Sequence, residues 1–155
     1  MSIEKNSKLS VPIVTPTTKD EHDDPINWKD FTNPSSSKYI MSLTDWQILS
    51  NYALTLFNHA TNLMDSVGII FVDSKYEFGR NKEDNSIMLI DELHTPDSSR
   101  YWIKHSYQSR VDNGEEPENI DKDLIRKYIS KNKIELNDEI SSKIPNDLID
   151  LTTNR

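Results

Sequence analysis

Asp73, Lys75 and Glu77 stand at alternate positions directly after an apolar run, Gly68-Ile69-Ile70-Phe71-Val72. Side chains two apart on a strand share a face. The three charges are therefore expected to project together from one side of a sheet. The next apolar run, Ile87-Met88-Leu89-Ile90, also turns acidic, at Asp91 and Glu92. A stable sheet gains nothing from charges lined up beside a buried run, whereas a site for a metal or a phosphate does. If the hairpin register sets Glu77 across from Asp91, two carboxylates ~4 Å apart repel by about 4 kcal/mol at an effective dielectric near 20. A divalent cation removes that penalty, and Mg²⁺ is typically held by one or two carboxylates plus substrate phosphates. Alternatively, both carboxylates are solvated near strand ends and never meet. The residues alone leave the two outcomes open.

Lys75 lies one pleat from both Asp73 and Glu77. It is either a surface ion-pair partner worth little or a fixed positive charge aimed at an anionic substrate. Arg100 closes the turn Thr95-Pro96-Asp97-Ser98-Ser99-Arg100. Arginine grips phosphate in a forked, two-point contact, and Ser98 and Ser99 could add hydroxyl donors. The same turn also fits ordinary loop chemistry, with Asp97 capping local amides. His22-Asp23 and His94 read as solvated loop residues and His59 as structural. No Ser/His/Asp spacing suggests a nucleophilic triad, and no histidine cluster has zinc-ligand spacing. Glycine occurs only at Gly68, Gly79 and Gly114, so no glycine-rich loop can cradle a phosphate.

The elements that must position these groups follow from periodicity. A helix is predicted from about Leu43 to Val67. Thr44-Asp45-Trp46-Gln47 fits a capping box, and apolar residues recur with helical spacing at Trp46, Leu49, Ala53, Leu56, Phe57, Ala60, Leu63, Met64 and Val67. Gly68 is placed to end it. One strand is predicted over 69–78 and a second over 87–90, joined by a polar turn as an antiparallel hairpin. Val11-Pro12-Ile13-Val14 is an edge strand or an extended segment, and residues 17–37 read as a loop. Tyr101-Trp102 is an aromatic anchor and 113–119 an acidic loop. A helix is predicted over 121–129, and another opens near Ile144-Pro145. The fold class is α+β: a small antiparallel sheet, centred on the hairpin, packed on the long helix.

The chain has 155 residues, which suggests one domain. At that size a domain buries roughly 68–70% of its unfolded surface. With 34% hydrophobic residues the core is expected to be lean. A formal net charge of −8 repels a nucleic-acid backbone. The absence of cysteine excludes disulfides, thiolate metal sites and cysteine catalysis. The polar start Met1-Ser2-Ile3-Glu4-Lys5-Asn6 is no secretory signal, and no apolar run approaches the ~20 residues of a membrane helix.

At the charged segments the chain resembles the SAICAR synthetase (phosphoribosylaminoimidazole-succinocarboxamide synthase) family of purine biosynthesis. Val72-Asp73-Ser74-Lys75-Tyr76-Glu77-Phe78-Gly79 is similar to that family's aspartate–any–lysine–aromatic–glutamate–phenylalanine–glycine strand. Ile90-Asp91-Glu92-Leu93-His94-Thr95-Pro96-Asp97-Ser98-Ser99-Arg100-Tyr101-Trp102 resembles its second signature, and Thr15-Pro16-Thr17-Thr18-Lys19-Asp20-Glu21-His22-Asp23 an upstream segment. The similarity runs from about Val11 to the C-terminus.

The resemblance implies an ATP-grasp-related C-terminal subdomain, an antiparallel sheet packed on helices. Residues 1–10 would be a flexible tail and 11–155 the C-terminal portion of the domain. The family's N-terminal subdomain, whose lysine- and glycine-containing strands cover ATP, is expected to be absent. The implied activity is ligation of L-aspartate to carboxyaminoimidazole ribonucleotide with ATP and Mg²⁺, by a fragment or split subunit in the cytoplasm. A non-catalytic nucleotide- and Mg²⁺-binding module is the alternative. Implied protein partners are a separate N-terminal half chain or a second copy, with no nucleic acid and no membrane. By the same resemblance Glu77 and Asp91 would ligate magnesium, and Arg100 would hold the 5′-phosphate beside Ser98, Ser99 and Asp73. Lys75 and Asp97 would sit beside the nucleotide or imidazole, and Lys19 and Asp23 would line the reacting centre.

Overall fold

The structure, a computed structural model, describes residues 4–19, 23–134 and Pro145. The predicted last helix near Ile144 lies outside the described residues apart from Pro145. After an extended segment, in which Val11 and Ile13 are 63% and 65% exposed, an isolated bridge pairs Thr17 with Pro25. Asn27 then caps a short helix, α1 (Trp28–Phe31), accepting from the Lys29 amide at 3.0 Å. The second helix, α2 (Leu43–Ser66), matches the apolar periodicity. Its cap is Ser42 rather than Thr44: the Ser42 hydroxyl accepts from the Asp45 amide at 3.1 Å. Asp45 in the first turn also suits the helix dipole. Gly68, at φ +78°, ends the segment in the left-handed region that glycine enters without penalty.

The strands correct the predicted single sheet. Strand β1 (Ile69–Ser74) stops two residues before β2 (Glu77–Arg80). β2 pairs antiparallel with β3 (Ile87–Ile90) in one ladder, and β1 pairs with β4 (Ser99–Ile103) in another. Period-two patterning runs unbroken through the junction, so it cannot show that the chain changes partners there. The Lys75 amide still donates to the Ser98 carbonyl at 2.8 Å, next in the register after Ser74↔Ser99, and the chain changes partners only after it. Asp73, Lys75 and Glu77 therefore do not share one strand face. Between β2 and β3 the polar turn forms as predicted: Asn85 takes φ +59°, and its carbonyl accepts from Arg80 Nη1 at 3.0 Å.

Helix α3 (Lys104–Asp112) was not predicted, since it carries no apolar stripe and buries no residue. Tyr107 stacks on Trp102 at 5.7 Å. Its hydroxyl donates to the Asn6 carbonyl at 2.6 Å, and Lys5 pairs with Glu116. Helix α4 (Lys122–Lys131) has Asp121 as its cap, close to the predicted span.

Contacts divide the chain into two compact units. One holds residues 60–76 and those from Asp91 onward, with the N-terminal residues to Asn6; its buried hydrophobic side chains are Ala60, Phe71 and Tyr101. The other holds 7–59 and 77–90, with Phe31 and Ala53 buried and Phe31 edge-on to Trp46 at 5.1 Å. In the first unit a buried carboxylate substitutes for apolar bulk. Asp121 is 1% exposed, accepts from the Tyr101 amide at 2.8 Å through Oδ2, and caps α4 by accepting from the Asp123 amide at 2.8 Å through Oδ1.

Replacing Asp121 by alanine strands a buried strand amide and removes a helix cap. Asp121→Ala is expected to lower stability by about 2–4 kcal/mol in urea unfolding, with Asp121→Asn recovering roughly half because one acceptor oxygen remains. An unchanged midpoint in Asp121→Ala would refute this role.

Candidate functional site

The β1–β4 ladder positions the first group of candidate residues. Its register runs Ile69↔Ile103, Ile70↔Trp102 and Phe71↔Tyr101, then shifts so that Asp73 faces Arg100 and Ser74 faces Ser99. Arg100 Nη2 lies 3.0 Å from Asp73 Oδ2, with both side chains about half exposed. Burial pushes the Asp73 carboxyl above its ordinary range, and the Arg100 guanidinium beside it pulls part of the way back. Ser99 is buried, and its hydroxyl donates to Ser74 Oγ at 2.9 Å. Ser98 Oγ lies 3.3 Å from Ser99 Oγ.

The turn before Arg100 is closed by its own side chains. The Thr95 amide donates to Ser98 Oγ at 3.1 Å, and the Ser98 amide returns a bond to Thr95 Oγ1 at 3.1 Å. The Ser99 amide donates to the Thr95 carbonyl at 3.0 Å. Asp97 does not cap the turn. It points to Lys122 Nζ at 3.0 Å, and that ammonium holds its carboxyl below the usual range. The turn's hydroxyls instead satisfy its amides, because threonine and serine reach their own backbone as well as aspartate does.

Glu77 stands at the start of β2, opposite Ile90 in the β2–β3 ladder. The register therefore does not set it directly across from Asp91, which follows Ile90 with φ +70°. Glu77 pairs with Lys19, which brings one resemblance-derived residue onto another. Asp23 takes φ +48° at the far end of the same loop, whose neck is tied by Thr18 N–H to the Asp24 carbonyl at 2.9 Å. Gly79 in β2 has a steric reason: an added Cβ would meet Ile90 Cγ2 at 3.2 Å. Among the described residues no three histidine or acidic side chains converge as a metal cage. The donors on offer are carboxylate oxygens, the hard ligands that suit Mg²⁺ together with substrate phosphates.

The residues that sequence reasoning missed are aromatic. Tyr76 OH lies 2.7 Å from His94 Nε2, and the Tyr101 hydroxyl donates to the His94 carbonyl. Burial pushes both tyrosine hydroxyls upward, so both are protonated at neutral pH. The available signal was a histidine bracketed by tyrosines within two motifs, but periodicity ranks such aromatics as core.

These motifs sit on a chain whose first 143 residues match the SAICAR synthetase family model. The chain belongs to the SAICAR synthetase family. It is 45% identical over 148 residues to the phosphoribosylaminoimidazole-succinocarboxamide synthase of Legionella pneumophila (strain Lens), covering 95% of this chain and 46% of that protein. The chloroplastic synthase of Vigna aconitifolia is 45% identical over 146 residues, covering 94% of this chain and 41% of that protein. Among solved structures, the SAICAR synthase of Saccharomyces cerevisiae complexed with SAICAR gives a TM-score of 0.69 at 30% identity, covering 95% of this chain and 44% of that one. A SAICAR synthetase in complex with ADP shares the fold, with a TM-score of 0.64 at 24% identity, and the chain covers 55% of it. The chain thus spans less than half the length of the two synthases it matches in sequence. The α+β class is that of SAICAR synthetases, and no described helix is long and apolar enough to cross a membrane.

The Asp73 pairing has a signed pH consequence. A carboxyl whose folded pKa exceeds its unfolded one binds more protons when folded, so its contribution falls as pH rises through the folded value. Asp73→Asn is expected to raise the urea midpoint at about pH 7 and to flatten its fall as pH rises above the ordinary carboxylate range. A lower midpoint at neutral pH would show that the Arg100 pair outweighs burial.

Proposed function

We propose that this chain forms the magnesium- and ribonucleotide-binding portion of a SAICAR synthetase, which ligates L-aspartate to carboxyaminoimidazole ribonucleotide at the expense of ATP. The observation that carries this is the end of the β1–β4 ladder, where the half-exposed Arg100 guanidinium follows directly on a turn fixed by its own hydrogen bonds. A half-exposed guanidinium carried at the end of a rigid turn suits a phosphate monoester. The yeast relative solved with SAICAR supports the ligand class.

In this reaction the ribonucleotide's carboxylate takes the γ-phosphoryl group of ATP, forming an acyl phosphate and releasing ADP. The aspartate amine then attacks the acyl carbon, phosphate leaves with the bonding pair, and the amide nitrogen loses a proton. Such chemistry asks for positioning and charge neutralisation rather than a protein nucleophile. Arg100, with Ser98 and Ser99, would hold the 5′-phosphate end, and Asp73 would join the substrate-binding group by orienting Arg100. Lys75 and Asp97 would flank the nucleotide or imidazole, and Lys19 and Asp23 would line the reacting carboxylate. Glu77 and Asp91 would supply carboxylate oxygens to Mg²⁺, which when bound neutralises phosphate charge. Lys19 already meets the Glu77 carboxylate, so a cation there would share or replace that ammonium. The parts of SAICAR synthetases outside the matched region would supply the ATP-covering strands, joined to this chain, on a separate chain or within a homo-oligomer. The cytoplasm is the compartment we assign.

Two measurements test this. Calorimetry with SAICAR should show binding that Arg100→Ala weakens by about 10–100-fold, the cost of losing a charged hydrogen bond. Equal binding by Arg100→Ala would remove the proposed phosphate contact. A purine auxotroph lacking the enzyme should grow when this chain is supplied with the remaining portion of the Legionella relative, and Glu77→Ala should abolish that growth. Failure of the parent pair to support growth would count against the ligase assignment.

A further inference from the structure

We infer, on the proposed role of Arg100 and Ser98 in holding the ribonucleotide phosphate, that His94 is a positioning residue which locks the turn carrying them. The backbone from Asp91 to His94 is in an unfavourable conformation: Asp91 has φ +70° and His94 φ +54°. Few non-glycine residues enter that region, Asp and His more readily than most, and their surroundings hold them there. His94 is held at three points. Its carbonyl accepts the Tyr101 hydroxyl from β4. Its Nε2 lies 2.7 Å from the Tyr76 hydroxyl. Its ring stands edge-on to Phe71 of β1 at 5.0 Å and 80°, and to Tyr76 at 5.5 Å and 70°.

What His94 fixes lies directly downstream. Thr95 is the next residue, and its amide, hydroxyl and carbonyl make the bonds that set Ser98 and Ser99. The side-chain hydroxyls also lead back to the same ring. Ser98 Oγ is 3.3 Å from Ser99 Oγ, and Ser99 donates to Ser74 Oγ at 2.9 Å. Ser74 hydrogen-bonds the Tyr76 hydroxyl and draws its pKa down. With the imidazole neutral and accepting at Nε2, Tyr76 is the donor, and the hydroxyls from Ser99 through Ser74 and Tyr76 then point toward His94. The imidazole thus sets both the backbone of the turn and the direction in which its hydroxyls point.

A purely conformational role could be filled by asparagine, which tolerates positive φ. His94→Asn and Tyr76→Phe, singly and together, therefore separate the alternatives. Each single variant is expected to speed amide exchange across 95–100 and to weaken SAICAR binding about tenfold, while the unfolding midpoint stays near that of the parent. The double variant should bind no worse than the weaker single, because both cut the same link. Losses that multiply in the double variant, or unchanged exchange in His94→Asn, overturn the lock. Should His94→Asn fail to fold, Tyr76→Phe removes one hydroxyl alone and carries the same test. If the parent chain binds no SAICAR, the functional proposal fails, and the exchange rates alone decide whether His94 locks the turn.

Discussion

Val72 has no partner across the β1–β4 ladder, and the placement of the charged residues depends on that one extra residue. In an unbroken register with Phe71 opposite Tyr101, Val72 would face Arg100 and Asp73 would face Ser99. The observed shift between Phe71 and Asp73 puts a carboxylate opposite the guanidinium and a serine opposite a serine. Bulges of this kind re-aim side chains and end regular pairing. Both happen here. The apolar pairs Ile69↔Ile103 to Phe71↔Tyr101 lie on one side of the shift, and the polar pairs lie on the other. Two residues later Lys75 gives its amide to Ser98, the last tie to the β4 side before the chain passes to β2.

The turn that follows is anchored to several elements of its unit. Lys75 ties Ser98 to the end of β1, the Lys122 amide donates to the Pro96 carbonyl at 3.2 Å from α4, and Tyr101 holds His94 from β4. Asp121 then joins β4 to the cap of α4 through one buried carboxylate. Among the described residues of this unit three hydrophobic side chains are buried, Ala60, Phe71 and Tyr101, so much of its specificity comes from hydrogen bonds to backbone. That suits a ligand site. A turn fixed before the ligand arrives loses little conformational freedom on binding.

About half of the elements were legible in the sequence; α1 lies in a stretch that reads as loop and β4 in one that reads as an aromatic anchor. The stripe from Trp46 to Met64 gave α2, the β-branched runs gave β1 and β3, and Asp121 announced α4. Pairing was less legible. Strand periodicity carries no information on which strand is the neighbour, so the residues from Ile69 to Phe78 read as one strand although they belong to two ladders. Helix α3 left no apolar signal because it buries no side chain. At the site, residue types pointed to Arg100 and Glu77. The partners of those residues did not follow, since Asp73 reaches Arg100 only through the bulge and Lys19 lies 58 residues from Glu77 along the chain. The aromatic hold on His94 was out of reach for the same reason: it depends on three segments meeting.

The charge pattern reconciles an acidic chain with an anionic ligand. The net charge of −8 should repel phosphates at long range. Locally, Arg100, Lys19 and Lys122 each face a carboxylate: Asp73, Glu77 and Asp97. A phosphate that takes Arg100 must take it from Asp73, so binding there exchanges one anion for another rather than neutralising an isolated cation. A phosphate monoester brings more acceptor oxygens and more charge to a forked guanidinium than a carboxylate does. Asp73 is the weaker competitor, because burial already raises its pKa and its ionised form is held chiefly by Arg100. On the proposed function, the pair would keep the guanidinium oriented and give way to the more highly charged ligand. Such an arrangement would let a strongly acidic protein take the proposed ribonucleotide without a surplus of positive charge.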